Sequence, residues 1–225
     1  MNESQKIEEF WDNAFKGVAP MKLTHEDVKM GEPLESWIGE YGPSAQKIVD
    51  FGCGEGSVLL DAALICPASV CLGFDASGNA VAFAEGSAKK SGLKNVSFKV
   101  GRIEALRSLP SESVGLFICS NFLDVIPFKN ALEYAIEIER LLEKGGHLIL
   151  KVNFLIDEGI RKRIGGATNG KGEIHIGGVF RSNNRPDKDW IEAFKGLIFR
   201  KRAEFQRLPK GPFDRLFLFQ KDDRE

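Results

Sequence analysis

The sequence predicts a three-layer α/β domain, a seven-stranded, mostly parallel sheet covered on both faces by helices and carrying an antiparallel strand near its C-terminus. The prediction rests on the chain's rhythm, its turns and its last third. From Lys47 to Asn153, apolar runs of strand length alternate with segments of helical period, the pattern of parallel strands joined by crossover helices. The first run passes directly into three alternate glycines, Gly52, Gly54 and Gly56, a turn from strand to helix that leaves room for a ligand where side chains would otherwise stand. After Pro186 the alternation stops, and a short helix precedes two strands joined through a turn containing proline and glycine.

KIVDFG, Lys47 to Gly52, is the first strand, and SVLLDAALI, Ser57 to Ile65, is the helix after it. SVCLGFD, Ser69 to Asp75, is the second strand. The following NAVAFAEGSAKKSG repeats its apolar positions at three and four residues and stops at Gly92. NVSFKV, Asn95 to Val100, alternates and forms the third strand; SVGLFICS, Ser113 to Ser120, forms the fourth. A long helix closed by glycine is expected over Ala131 to Gly146, and HLILKVN, His147 to Asn153, is the fifth strand. The glycine-dense stretch Gly165 to Gly178 admits two readings, a mobile lid or a plain hairpin in which EIHIGGVF runs as a strand. Beyond it, DKDWIEAF is a short helix, and strands near Leu197 to Arg207 and Arg215 to Gln220 pair through LPKGPFD.

A chain of 225 residues, 43% of them hydrophobic, can bury one core, so a single domain over 1–225 is expected. No run of about 18 apolar residues is present, and MNESQKIEEF lacks the basic and apolar regions of a secretion signal. A cytoplasmic protein with no membrane partner follows as the expectation. Cys53, Cys66, Cys71 and Cys119 include no C-x-x-C pair, which predicts neither disulfide nor metal site. Charge is uneven: residues 161–210 hold 13 lysines and arginines against 5 acids, a local +8 in a chain of net charge -1, leaving -9 elsewhere. The RKR runs at Arg161 and Arg200 read either as solvated faces or as a positive wall for an acidic or RNA partner.

VDFGCGEG, Val49 to Gly56, brings its third glycine one residue too early for a dinucleotide fingerprint, which would want it at Ser57. That spacing, with Asp50 just before it, resembles motif I of the class I S-adenosylmethionine (SAM)-dependent methyltransferases. The resemblance extends along the chain. LLEKGGHLILKVN looks like the element these enzymes place before their fifth strand, and the closing hairpin is similar to their antiparallel seventh strand inserted beside the sixth. FWDNAF and the helix-sized region up to Tyr41 resemble the cap by which small-molecule methyltransferases cover the cofactor. The resemblance implies a Rossmann-like sheet with an N-terminal helical cap (1–45), a SAM-binding core (46–153) and a substrate-side segment (154–225).

It also implies a cofactor site for SAM, with S-adenosylhomocysteine (SAH) as product, at the carboxyl ends of the strands. Trp11 would cover it, and Asp50, Gly52, Cys53 and Gly54 would border it. Asp75 closes strand two, where a carboxylate can accept from both ribose hydroxyls; its other reading is a helix N-cap. Ala76 leaves space under the adenine. Relatives usually place an aspartate where this chain has Arg102, and arginine cannot accept from the adenine amino group. Backbone groups of Arg102 and Ile103 remain for the adenine edge. Asn121 follows strand four as a lining residue or as ordinary turn chemistry.

The stretch SNFL has no proline, which disfavours the amino methyltransferases that present Asn/Asp-Pro-Pro-aromatic there. A sulfonium methyl is already activated, so the main work is alignment, and a general base is needed only where the acceptor keeps its proton. His25 and His175 are the candidate bases, and Arg181 the candidate for an acidic group on the substrate; surface roles are the alternatives. The resulting expectation is methyl transfer to a small-molecule acceptor. An RNA or protein methyltransferase using the basic segment, or a SAM-binding protein without catalysis, stays open, and the oligomeric state is not addressed by the sequence.

Overall fold

A computed structural model describes residues 3–24, 31–206 and 211–224. Helix α1 (Glu3–Ala14) leads to α2 (Leu34–Tyr41), and the strand–helix alternation follows: β1 (Lys47–Phe51), α3 (Ser57–Ile65), β2 (Val70–Asp75), α4 (Gly78–Ser91), β3 (Val96–Val100), α5 (Ile103–Arg107), β4 (Val114–Ser120), α6 (Phe128–Leu141) and β5 (Leu142–Val152). Then come α7 (Glu158–Arg163), β6 (Gly166–Thr168), β7 (Glu173–Ile176), β8 (Val179–Asn183), α8 (Asp187–Ala193), β9 (Ile198–Gln206) and β10 (Phe213–Gln220). The main sheet has seven strands in the order β3-β2-β1-β4-β5-β10-β9, parallel from β3 to β5, with β10 antiparallel to both of its neighbours. Reversal of direction at β1 and β4 leaves a crevice at their carboxyl ends.

Side chains of each strand alternate between two cores. Ile48, Leu116, Ile149, Leu216 and Leu218 meet α2, α3 and α4 on one face. Val49, Phe117, Leu148, Leu150 and Phe217 meet α5, α6 and α8 on the other, around the fully buried Trp190 and Phe194. Coverage on both faces explains why β4 reads as an unbroken apolar run and the edge strand β9 does not. Helix α2 is built into this layering through Leu34, Trp37 and Ile38, whereas α1 stands apart at the strand ends.

Two expectations change. The long helix ends at Leu141, and residues 142–146 already belong to β5. Gly145 has φ 76, and a Cβ on Gly146 would meet the Glu143 and Val114 carbonyl oxygens at 2.9 and 3.0 Å. The glycine pair therefore lets β5 bulge past β4, where the register shifts between Val114 and Leu116, and does not cap a helix. The glycine-dense stretch takes the hairpin form, but EIHIGGVF is not a single strand. It folds as a three-stranded antiparallel sheet, β6-β7-β8, with EIHIGGVF turning back at Gly177 and Gly178, whose φ values of 59 and 74 suit a two-residue hairpin. The link between β9 and β10 lies partly outside the described residues.

Candidate cofactor and active site

The turn after β1 explains its own glycines. Gly52, Gly54 and Gly56 all have positive φ (71, 54 and 76). A Cβ on Gly52 would land on the Phe122 ring, and one on Gly56 would meet Phe98 at 2.6 Å and Ala84 at 2.9 Å. Two of the three glycines thus admit the protein's own aromatic rings; only Gly54 has its nearest neighbour, Phe15, at an ordinary contact distance of 3.4 Å.

These residues border a cavity of about 760 Å³ at the carboxyl ends of the strands. Trp11, Asp50, Gly52, Cys53, Gly54, Asp75, Ala76, Arg102, Ile103 and Asn121 all lie on its wall. Asp75 ends β2 and holds the loop in place, one carboxylate oxygen accepting from the Gly54 N–H at 2.9 Å and the other from the Ser77 N–H at 2.8 Å. A carboxylate has about four acceptor sites, so capacity remains on both oxygens. Burial raises the Asp75 pKa against the lowering effect of those hydrogen bonds. Asp50 is fully buried, its Oδ1 has no hydrogen-bond partner among the described residues, and burial with the nearby Asp75 charge pushes it up to about 8.

Side chains of distant elements fasten α1. Arg102 makes a two-pronged pair with Glu8 of α1, Nε to Oε1 at 2.7 Å and Nη2 to Oε2 at 2.6 Å. Asp12 accepts from the Ser77 hydroxyl at 2.7 Å and from the Asn79 N–H at 3.1 Å, capping α4 from another helix. The Arg181 guanidinium lies 4.0 Å above the Phe10 ring. Ile7, Glu8, Trp11 and Phe15 thereby form the outer wall of the cavity.

Arg181 is therefore placed as a cap fastener, and it does not line the cavity. His175 is also absent from the wall, because β7 pairs within the small sheet and its ring packs edge-on to Phe180 at 5.7 Å. His25 lies outside the described residues. Glu8, Tyr134, Lys151 and Phe205, which sequence reasoning missed, do line it. The one local sign was Lys151, a charge at the end of the apolar run HLILKVN. Its Nζ donates to Asn121 Oδ1 at 2.5 Å, lies 3.3 Å from Asp214 Oδ2 and stands 4.6 Å from the Phe205 ring centre. Asn121 itself has φ 54, and its N–H bonds the Lys151 carbonyl oxygen at 2.8 Å.

This half of the cavity fits SAM. The partnerless Asp50 oxygen suits a cationic group, Asp75 has acceptor capacity for hydroxyls, and the Gly54 face is open to close approach.

Comparison with known proteins agrees. A stretch of the release factor glutamine methyltransferase of Aliivibrio fischeri is 31% identical over 93 residues, 41% of this chain and 32% of that protein, so the chain spans about a third of that relative's length. Magnesium protoporphyrin IX methyltransferase from Synechocystis PCC 6803, solved with bound SAH, superposes with a TM-score of 0.69 at 17% identity, covering 98% of this chain and 100% of that one. A SAM-dependent methyltransferase structure from Methanosarcina mazei gives 0.66 at 21%, covering 83% and 97%. The [4+2]-cyclase SpnF gives 0.68 at 15%, covering 98% and 97%, so the shared architecture does not by itself fix the reaction. The family model described as a methyltransferase domain matches residues 43–156, just over half of the chain and the segment that carries β1 to β5 with the glycine turn, and on that match the chain belongs to the class I SAM-dependent methyltransferases.

Proposed function

We propose that the protein transfers a methyl group to a small-molecule acceptor enclosed beneath α1. The observation that supports this most is the outer wall: the chain's own cap, held by Glu8, Asp12 and Phe10, closes the side from which a polymer would enter. When bound, SAM supplies a methyl group already activated by its positive sulfur. Asp75, Asp50 and the backbone at Gly54 hold the cofactor half, while Phe122, Val125, Ile126 and Phe205 offer an apolar bed to the acceptor. Such positioning can contribute roughly 7 to 11 kcal/mol. With His175 away from the wall, alignment and exclusion of water are the work assigned to the described residues.

The basic segment gives the polymer reading little support. On β9, Lys201 pairs with Glu40 and Arg202 with Asp187 and Glu204, while Arg200 bonds the neutral Gln220, so two of that strand's three basic side chains have a carboxylate partner. We also propose a cytoplasmic location, in keeping with four unbridged cysteines; no helix among the described residues is long and apolar enough to cross a membrane. The test is methyl-labelled SAM offered with separated small-molecule, RNA and protein fractions of a cell extract. Label in the small-molecule fraction is expected. Label in RNA or protein overturns the reading, and SAM binding without label in any fraction favours a non-catalytic protein.

A further inference from the structure

The cavity wall carries a buried cation that the cofactor does not explain. Carboxylates are frequent on that wall, among them Glu8, Asp50, Asp61, Asp75 and Glu133. Phe122, Val125, Ile126 and Phe205 are apolar parts of it, and with them stands Lys151, only 5% exposed and the one lysine on the wall among the described residues. A buried charge costs several kcal/mol of desolvation before any partner offsets it, and apolar replacements of buried ion pairs are often neutral or stabilising. Here the offsetting partners are Asp214 on β10 and Asn121 just after β4.

The contacts of Lys151 divide between the wall and the layer behind it. Asp214, its ion-pair partner at 3.3 Å, does not line the cavity, whereas Lys151, Asn121 and Phe205 do. The carboxylate thus stands behind the wall and the ammonium at it. Asn121 bonds Lys151 through both its side-chain oxygen and its backbone N–H while holding a left-handed φ of 54. Asparagine is among the few non-glycine residues that take this conformation readily, so the turn holds its side-chain oxygen on Lys151.

We propose that Lys151 is the anchor for the acidic head of the methyl acceptor, and that the acceptor is a carboxylic acid on an apolar, ring-sized body. This rests on the small-molecule reading above and names its substrate class. A carboxylate is charged at neutral pH and meets a fixed cation with a charge-assisted hydrogen bond; an uncharged head gains far less. The apolar wall around Lys151 then receives the body of the acid.

The test uses the full chain saturated with SAH and titrated with 1-naphthoate or its uncharged amide, read by calorimetry. Naphthoate should bind about tenfold or more tightly than the amide. Lys151→Met should lose about tenfold or more of the naphthoate affinity and the preference for it, with SAH affinity kept within about threefold. Because Lys151→Met removes a cation beside the buried Asp214, the double variant Lys151→Gln/Asp214→Asn, which removes both charges, is measured beside it with the same expectation. Equal binding of acid and amide to the wild type, no binding of naphthoate, or a variant that still prefers the acid would overturn the proposal, and the wild-type comparison stands even if neither variant folds. Failure of the small-molecule reading shows elsewhere, as label in RNA or protein, so the two can be told apart.

Discussion

Asp50 carries the most consequential charge in the molecule. Burial and the neighbouring Asp75 raise its pKa to about 8, so in the protein alone it is largely protonated at neutral pH. A cationic cofactor beside it would favour the ionised form. Affinity for SAM should therefore rise with pH toward about 8 and then level, with proton release near pH 7 visible by calorimetry in buffers of different ionisation enthalpy. Asp50→Asn should flatten that dependence, and a flat profile in the wild type would remove Asp50 from the site. The sign for stability is opposite: with a raised folded pKa, the stabilisation from this proton is present below the ordinary value of 3.8 and is lost as pH rises through about 8. Asp75 is tested differently. Asp75→Ala leaves ribose hydroxyls without an acceptor, at roughly 1 to 3 kcal/mol, so SAM affinity should fall about tenfold or more. Because Asp75 also ties Gly54 and Ser77, near-UV circular dichroism must show a folded variant before a loss is attributed to the ribose.

Helix α1 is held by side chains from distant elements more than by its own burial, for Phe10 and Trp11 remain partly exposed. Of its fasteners, the Glu8–Arg102 pair is solvent-facing and worth about 0 to 1 kcal/mol. Asp12 matters more, since it accepts from an N–H in the first turn of α4, and losing a cap of this kind typically costs about 1 kcal/mol. Asp12→Ala should speed hydrogen exchange in residues 3–14 while β1 to β5 stay protected; unchanged exchange there would mean that the cap is held some other way. Hydrogen bonds from Ser77 and Asn79 lower the Asp12 pKa, so its contribution is present above 3.8 and is lost as pH falls through the lower folded value. The small sheet β6-β7-β8 is tied to the loop after β4, with Asn183 donating to the Leu123 and Ile126 carbonyl oxygens at 3.2 and 2.6 Å.

At the scale of the whole molecule, the seven strands of the main sheet could be read from apolar rhythm and the closing hairpin, because each strand's burial is written in its own few residues, while the place of the last strand beside the one before it came only with the family resemblance. The partners of exposed or semi-buried charges could not. Glu8 meets Arg102 across 94 positions, and Lys151 meets Asn121 across 30, contacts that no local pattern encodes. The role of Gly52 was half legible: its backbone demanded glycine, but only the fold shows that Phe122 takes the space. The sheet order carries one more consequence, for the chain as it is made. β10 occupies the slot between β5 and β9 yet is translated after both. Until Phe213 to Gln220 leave the ribosome, β5 has a bare edge, and Leu148 and Leu150 lack the neighbours that Phe217 and Phe219 later supply. A nascent chain arrested before Phe213 should therefore bind hydrophobic dyes and chaperones and resist dilution into soluble form, whereas one arrested beyond Gln220 should not; equal behaviour of the two would mean that the first five strands close without the last. On this topology the keystone is made after the strands it joins.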